Sequence, residues 1–369
     1  MRLNLRRDDF RNMKCKLCGK SGIVSRELGV CVDCIRNIPE KAIPYVKKVH
    51  HKIRNEFNLP AEPPMDPDGI PCKQCANECR ITLNKSGYCG IRRNANHRLI
   101  PDPETAFVYT YLDSLPTNCC AAWFCPGSRD YGRFNLAVFF YGCNFNCIFC
   151  QNPSHKRVYT APEMRLNEFV TNVMNNSKVG CICYFGGSPE PHLPFALKAS
   201  EKILKERKIR ICWEWNGCGN QKLVRRAAEL SFKSDGVVKF DLKAFDKSLS
   251  VALSGRPNDR AYENFRAIAE EFFSERESPV LTATTLLVPG YVDKREVEKI
   301  ARFISELNPE IPYSLLVFHP DFHMMDLPIT PRKQVEECYL VAKKYLKNVE
   351  IGNKHLLLLS QAGLHGPNM

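Results

Sequence analysis

The sequence predicts an α/β protein: a partial (β/α)6 TIM-like barrel joined to a cysteine-rich amino-terminal metal-binding region. Two observations carry this reading. Six apolar runs, at 136–141, 180–185, 209–213, 236–240, 280–288 and 312–318, alternate with amphipathic stretches at about 164–175, 194–207, 220–231, 259–273, 293–307 and 331–346. Strand and helix alternating in this way imply a parallel sheet with right-handed crossovers, and six such units are too few to close an eight-stranded barrel. The second observation is that the 19 cysteines of the 369-residue chain fall in close-spaced groups.

A chain of this length can hold one large core and one or two small modules. The expected boundaries are a zinc-ribbon-like module at 1–38, a helix and Pro-rich linker at 39–70, a Cys-rich subdomain at 71–130, the barrel at 131–330, and a carboxyl-terminal helix and strand at 331–369. The start, Met1-Arg-Leu-Asn-Leu-Arg-Arg, is charged and runs into Asp8-Asp9. It has no apolar segment of the kind an export signal needs, so the grouped cysteines read as metal ligands in a reducing cytoplasm and not as disulfides. No apolar run approaches the roughly 18 residues of a membrane helix; Leu356 to Leu359 reads as a short buried strand. The net charge of +13 would suit an acidic partner, nucleic acid or the acidic face of a protein. Solvated helical faces such as Lys202 to Arg210 and Lys343 to Lys347 explain the cations equally well.

Along the chain, Cys15-x2-Cys18 and Cys31-x2-Cys34 can place four sulfurs at tetrahedral corners, with Gly19, Gly22 and Gly29 supplying tight turns. Zinc is the expected occupant, ahead of a rubredoxin-like iron, and the metal would provide the folding free energy that so short a segment lacks. A polar, helix-like stretch at 39–59 follows, then Ala61-Glu-Pro-Pro-Met-Asp-Pro-Asp-Gly-Ile-Pro71, which can propagate neither helix nor central strand. Cys72, Cys75, Cys79 and Cys89 form a second group of four that suits zinc or a closed auxiliary iron-sulfur cluster, with zinc slightly favoured. Cys119, Cys120 and Cys125 could complete another metal site, but packing as small hydrophobes is the simpler reading.

Cys143, Cys147 and Cys150 lie in Phe139-Phe-Tyr-Gly-Cys-Asn-Phe-Asn-Cys-Ile-Phe-Cys-Gln-Asn152. Three thiolates at this spacing can hold three irons of a 4Fe-4S cube and leave the fourth open to a ligand. Zinc favours four ligands, so a structural zinc or a chance group of buried thiols is the poorer reading. The loop follows the apolar run Leu136 to Tyr141, at a strand's carboxyl end, where barrel enzymes carry their sites. The next strand ends in Tyr184-Phe-Gly-Gly-Ser-Pro-Glu-Pro191, the third in Cys212-Trp-Glu-Trp-Asn-Gly217 and the fourth in Lys239-Phe-Asp-Leu-Lys243. There Glu214 and Asn216 can bond hydroxyls, Lys243 can neutralise an anion, and Asp241 can hold a cation or orient Lys243. Each of these could equally serve a structural salt bridge.

The three-cysteine loop followed one strand later by a Gly-Gly turn resembles the radical S-adenosylmethionine (SAM) superfamily. That resemblance implies a 4Fe-4S cluster whose open iron binds the amino and carboxylate groups of SAM, and one-electron cleavage to methionine and a 5'-deoxyadenosyl radical. It also implies that Phe149 lies along the adenine. Gly186, Gly187, Ser188 and Glu190 would form the turn that receives the SAM amino group, the glycines being needed because a side chain would block that approach; here Ser188-Pro189 precedes Glu190. From Pro71 to Asn353 the chain is similar to the pyruvate formate-lyase-activating-enzyme-like branch, particularly its AmmeMemoRadiSam-associated proteins. The similar features are Cys72 to Asn94, Phe124-Cys-Pro-Gly127, Gly142-Cys to Gln151-Asn, Phe240-Asp-Leu-Lys-Ala-Phe245, Leu287-Val-Pro-Gly290, Phe318-His-Pro-Asp-Phe-His323 and Gly352-Asn353. This likeness implies catalytic roles for His319 and Lys243, hydrogen abstraction from a protein or peptide, and a flavodoxin- or ferredoxin-type electron donor. The knuckle at 15–34 departs from that branch, as do Trp215 and Lys239, which stand where activating enzymes carry smaller or softer neighbours of a bound cation. Three other readings stay open. One is a cobalamin-dependent C-methyltransferase, with Trp123, Trp213 and Trp215 as flat surface for a corrin. The others are tRNA modification and a non-catalytic zinc-ribbon nucleic-acid-binding protein.

Overall fold

A computed structural model describes residues 13–117, 119–273 and 278–361. Its centre is one sheet of nine strands: β1 (Thr105–Ser114), β2 (Phe134–Phe140), β3 (Glu163–Arg165), β4 (Val179–Gly186), β5 (Arg210–Trp215), β6 (Val238–Asp241), β7 (Leu281–Leu287), β8 (Tyr313–Val317) and β9 (Val349–Gly352). Across the sheet the order is β9-β8-β7-β6-β5-β4-β2-β1-β3. Neighbours from β2 through to β9 are parallel, and β1 pairs antiparallel with both β2 and β3.

Three expectations change. Seven strands are parallel instead of six, the added one being β9, whose four residues are too few and too partly buried to show as an apolar run. Leu356 to Leu359 belong to a helix, His355–Gln361, in which Leu356 is buried and Leu358 exposed, so the leucine run is not a strand. β1 lies within the segment 71–130 yet pairs with β2 from Val108 to Ser114, so the boundary expected at 130/131 cuts through one sheet. The ends of the outermost expected segments, 1–12 and 362–369, lie outside the described residues.

Helices α1 (Val32–Asn37) and α2 (Pro39–Glu56) precede the sheet. They are followed by α3 (Leu166–Asn175), α4 (Leu193–Glu206), α5 (Gln221–Lys233), α6 (Lys247–Ser254), α7 (Asp259–Phe272), α8 (Lys294–Leu307), α9 (Arg332–Lys343) and α10 (His355–Gln361). Local chemistry sets several of their ends. Asn220, Asp246 and Asp293 cap α5, α6 and α8 by accepting backbone N–H groups, and α6 stops at Gly255 in the left-handed conformation. Every residue of β7 is buried, as a central parallel strand covered on both faces requires. Alternation along the strands divides the side chains. Tyr184 and Trp213 stack at 4.6 Å, and Trp213 Nε1 donates to Ala227 O of α5, which places both rings in the sheet-helix layer. Cys183, Cys212 and Lys239 line the opposite, inner face.

The cysteine-rich module at 13–38 is docked on the barrel. Tyr291 Oη accepts from Ser25 N at 2.9 Å and donates to Val30 O at 3.0 Å. Arg36 of α1 reaches Asp293 and Glu296 of the β7–α8 region, each at 3.0 Å.

Candidate active site

Gly142 turns the chain out of β2 at φ +77°, where a Cβ would stand 2.3 Å from Ile91 and 2.8 Å from Cys89 O. The loop bearing Cys143, Cys147 and Cys150 therefore rests directly on the second cysteine group. Its backbone is pinned elsewhere by Asn146 N to Ser254 O (2.8 Å), Ile148 N to Leu253 O (3.0 Å) and His323 N to Ile148 O (3.0 Å). Inside it, the fully buried Lys156 donates to Asn146 Oδ1 at 2.6 Å, and Asn146 Nδ2 donates to His50 Nδ1 at 2.9 Å. His50 Nε2 lies 3.1 Å from Ala252 O. Burial pushes His50 down to about 4, which keeps it neutral and able to accept at Nδ1 while it donates at Nε2.

One cavity at the carboxyl ends of β2, β4, β5 and β6 is lined by Cys143, Cys147, Phe149, Cys150, Gly186, Gly187, Ser188, Glu214, Asn216, Asp241 and Lys243. The structure thus brings together eleven of the residues read from sequence. Two others stand outside its wall. Glu190 is fully buried behind the turn, accepting from Ser188 Oγ and, at 3.0 Å, from Gly217 N. Burial raises its carboxyl to about 7 against these hydrogen bonds. His319 is turned toward Gln151, Nε2 to Nε2 3.2 Å, and meets the cavity only through that lining residue. Sequence reasoning named both but could not place them, because motif position says which loop a residue occupies and not which side of it the chain presents.

The glycines of the turn answer to packing. Gly186 has φ +113°, and a Cβ on it would lie 2.5 Å from Phe140 N; one on Gly187 would lie 2.1 Å from Gly142 O. The turn is thus pressed against the cysteine loop, which is a stronger demand for glycine than approach by a ligand. Asn144, inside the cysteine loop, completes the junction: Asn216 Nδ2 donates to Asn144 Oδ1 at 2.6 Å and to Ser188 Oγ at 2.9 Å. Sequence reasoning passed over Asn144 and Lys156, whose only signal was a polar residue in or beside a buried cysteine loop.

Lys243 pairs with Asp241 and lies 5.6 Å from the centre of the Phe149 ring. Burial opposes its charge, but the Asp241 carboxylate outweighs that and holds the ammonium above the usual lysine range. Burial also raises the thiols of Cys143 and Cys150, the latter to about 11. Thiols so placed ionise when a metal supplies the compensating charge, so a cationic cluster fits this donor set.

A second cavity extends toward the amino ends of the strands, between the inner face of the sheet and residues 115–117 and 119–130, and shares Asn152, Phe185 and Glu214 with the first. Lys239, almost fully buried, is its hub: Nζ lies 3.0 Å from Glu214 Oε2 and donates to Cys119 Sγ at 3.1 Å and Cys183 Sγ at 3.3 Å. Cys119 and Cys125 pack against the apolar cluster of Ala121, Cys183, Cys212 and Val237, as expected of small hydrophobes, and Cys119 has the Lys239 ammonium as a polar partner besides. A hydrogen bond from Cys120, helped by Lys239 and opposed by burial, lowers the Cys119 thiol to about 6. Trp123 Nε1 donates to Ser314 Oγ of β8 at 3.1 Å, so Trp123 and Trp213 lie on opposite faces of the sheet and do not jointly surround a corrin-sized space.

The remaining cysteines differ in spacing. Cys15 and Cys34 lie 3.7 Å apart, sulfur to sulfur, and Cys18 and Cys31 3.8 Å apart. Four Zn–S bonds of about 2.3 Å at tetrahedral angles set sulfur separations of about 3.8 Å, so the donors fit zinc. Among the described residues, neither Cys72, Cys75, Cys79 and Cys89 nor Cys143, Cys147 and Cys150 bring three sulfurs within 4.8 Å of one another.

Residues 137–304 match the family described as the Radical SAM superfamily. The chain is 27% identical over 202 residues to pyruvate formate-lyase-activating enzyme of Staphylococcus aureus, covering 52% of this chain and 78% of that one. Solved structures similar to it include a domain of pyruvate-formate lyase-activating enzyme from Bacteroides vulgatus, at 19% identity over 47% of this chain and 99% of that chain, TM-score 0.39. Another is a radical SAM methyltransferase from Sphaerobacter thermophilus, at 16% identity over 59% of this chain and 66% of that chain, TM-score 0.44.

Proposed function

We infer that this chain, an enzyme whose residues 137–304 form a radical SAM domain, reductively cleaves S-adenosylmethionine and uses the 5'-deoxyadenosyl radical to take a hydrogen atom from a protein or peptide. The observation that supports this best is the single cavity that gathers Cys143, Cys147 and Cys150 with the Gly186-Gly187 turn and the Asp241–Lys243 pair. A 4Fe-4S cluster held by the three cysteines supplies, when bound, the electron for cleavage and an open iron position for the amino acid end of SAM.

The chain's own groups do the rest. Phe149, with Leu286 and Leu316 of the same wall, offers apolar surface to the adenine. Lys243 answers the SAM carboxylate, and the backbone of Gly186 and Gly187 receives the amino group. Asn216 is already committed to Asn144, Ser188 and Cys218 N, so it fixes the wall, while Glu214, half exposed and paired through Oε2 with Lys239, has its other oxygen to offer a ribose hydroxyl. Apolar walls exclude water from a reacting carbon held close to the radical.

Likeness to an enzyme named for activating pyruvate formate-lyase supports a protein substrate for this chain. The reading includes a flavodoxin- or ferredoxin-type electron donor, zinc at Cys15, Cys18, Cys31 and Cys34, zinc or a second cluster at Cys72, Cys75, Cys79 and Cys89, and a cytoplasmic setting. No helix among the described residues is long and apolar enough to cross a membrane. Product analysis tests the reading. Anaerobic enzyme with a strong reductant, SAM and candidate protein substrates should yield 5'-deoxyadenosine and methionine. S-adenosylhomocysteine in comparable amount, with bound cobalt, would favour a cobalamin methyltransferase instead.

A further inference from the structure

Residues 119–130 pack across the inner face of the sheet. Cys119 meets Lys239 of β6, and the carbonyl of Cys120 accepts from Ser314 Oγ of β8 at 2.9 Å. This brings Cys119, Cys120 and Glu214 of β5 together, each offering one donor atom, with all three within 4.8 Å of one another. We propose that these three side chains bind one thiophilic divalent cation whose open coordination position faces the second cavity.

The donor set has the chemistry for it. Two sulfurs and a carboxylate suit zinc or cobalt, and three protein ligands with one position free is the pattern of metal sites that bind an exchangeable group; closed structural sites use four. Among the described residues no fourth cysteine, histidine or acid joins the set. What lies beside it is a cavity of ≈ 200 Å³. Charge balance points the same way. With both thiols ionised the set carries three negative charges; Lys239, 3.0 Å from Glu214, cancels one, and a divalent cation cancels the other two. Lys239 is almost fully buried and the two cysteines partly so, and charge placed there calls for such a balance.

Because Glu214 lines both cavities, a group on this metal would lie next to the proposed SAM pocket. The donor such a position takes is nitrogen or sulfur, as in a histidine or cysteine side chain of a peptide. That assignment of substrate class rests on the function proposed above; the metal site does not.

The test uses the full chain, purified anaerobically, stripped of metal and titrated with cobalt(II) in the absence of SAM. The wild type should bind one more equivalent than the C119S/C120S variant and show stronger sulfur-to-cobalt charge-transfer absorption. Glu214→Gln should weaken that one equivalent about tenfold or more. Equal equivalents in wild type and C119S/C120S would overturn the site. If that double variant does not fold by circular dichroism, Glu214→Gln decides, and unchanged affinity for every equivalent overturns the site. Imidazole should shift the cobalt d–d bands of the wild type and leave those of C119S/C120S unchanged; no shift in the wild type contradicts the open position. The C143A/C147A/C150A variant should keep the equivalent at Cys119, Cys120 and Glu214, so failure of this site and failure of SAM cleavage are read separately.

Discussion

Asn216 Nδ2 donates to Asn144 Oδ1 at 2.6 Å, and this bond joins the end of β5 to the middle of the cysteine loop. Both side chains are buried, so Asn144→Ala would leave the Asn216 amide short of a partner at a cost of about 1–3 kcal/mol. The expected result is a lower urea midpoint and faster loss of iron during anaerobic dialysis. An unchanged midpoint and iron content would mean that the loop does not depend on this contact.

Arg36→Ala tests how firmly the amino-terminal module is held. Its guanidinium lies 3.0 Å from Glu296, which is fully buried, and from Asp293. The substitution leaves the Glu296 carboxylate with the Phe245 and Asp246 N–H groups but no cation. Destabilisation of about 3 kcal/mol is expected from equilibrium unfolding. A loss below about 0.5 kcal/mol would show that the ion pair contributes no more than an exposed one.

Glu190 sets a pH dependence. Its folded-state carboxyl titrates at about 7 against an ordinary value of 4.5, so the folded form binds the proton more tightly than the unfolded chain. This group's contribution to stability is full below about 4.5, falls as pH rises to about 7, and is flat above. The fall is on the order of 3 kcal/mol, from about 1.4 kcal/mol per pKa unit. Denaturation of wild type and Glu190→Gln at pH 5 and pH 8 should show a smaller decline in the variant. Parallel declines would remove Glu190 as the cause.

The alternation of apolar and amphipathic segments made the parallel strands β2 and β4 to β8 legible, because strands buried on both faces need unbroken apolar runs while crossover helices need one apolar stripe. β9 was not legible, since four partly buried residues carry no period. Of the candidate site, the cysteines and the Gly-Gly turn could be read because their spacing is local. The contacts of Asn144 with Asn216, of Lys156 with Asn146 and of Lys239 with Glu214 are long-range and follow from the closing of the sheet, so no local pattern announces them. His319 and Glu190 show the converse: the motif positions were read, but the fold turns one toward Gln151 and buries the other against Gly217.

Lys243→Ala should weaken SAM binding without loss of the iron-sulfur absorption. One charge-assisted hydrogen bond is worth about 1.5–3 kcal/mol, so affinity should fall roughly ten- to a hundredfold. Unchanged affinity in an anaerobic titration would make Lys243 a partner of Asp241 alone.

The central claim is that Cys143, Cys147 and Cys150 carry the cluster at which SAM is cleaved. Its most direct test measures 5'-deoxyadenosine formed per enzyme by the wild type and the C143A/C147A/C150A variant, both reconstituted anaerobically with iron and sulfide and reduced in the presence of SAM. The variant is predicted to form none and to lose one cluster's worth of iron while keeping the zinc at Cys15, Cys18, Cys31 and Cys34. Continued reductive formation of 5'-deoxyadenosine by the variant would contradict the claim.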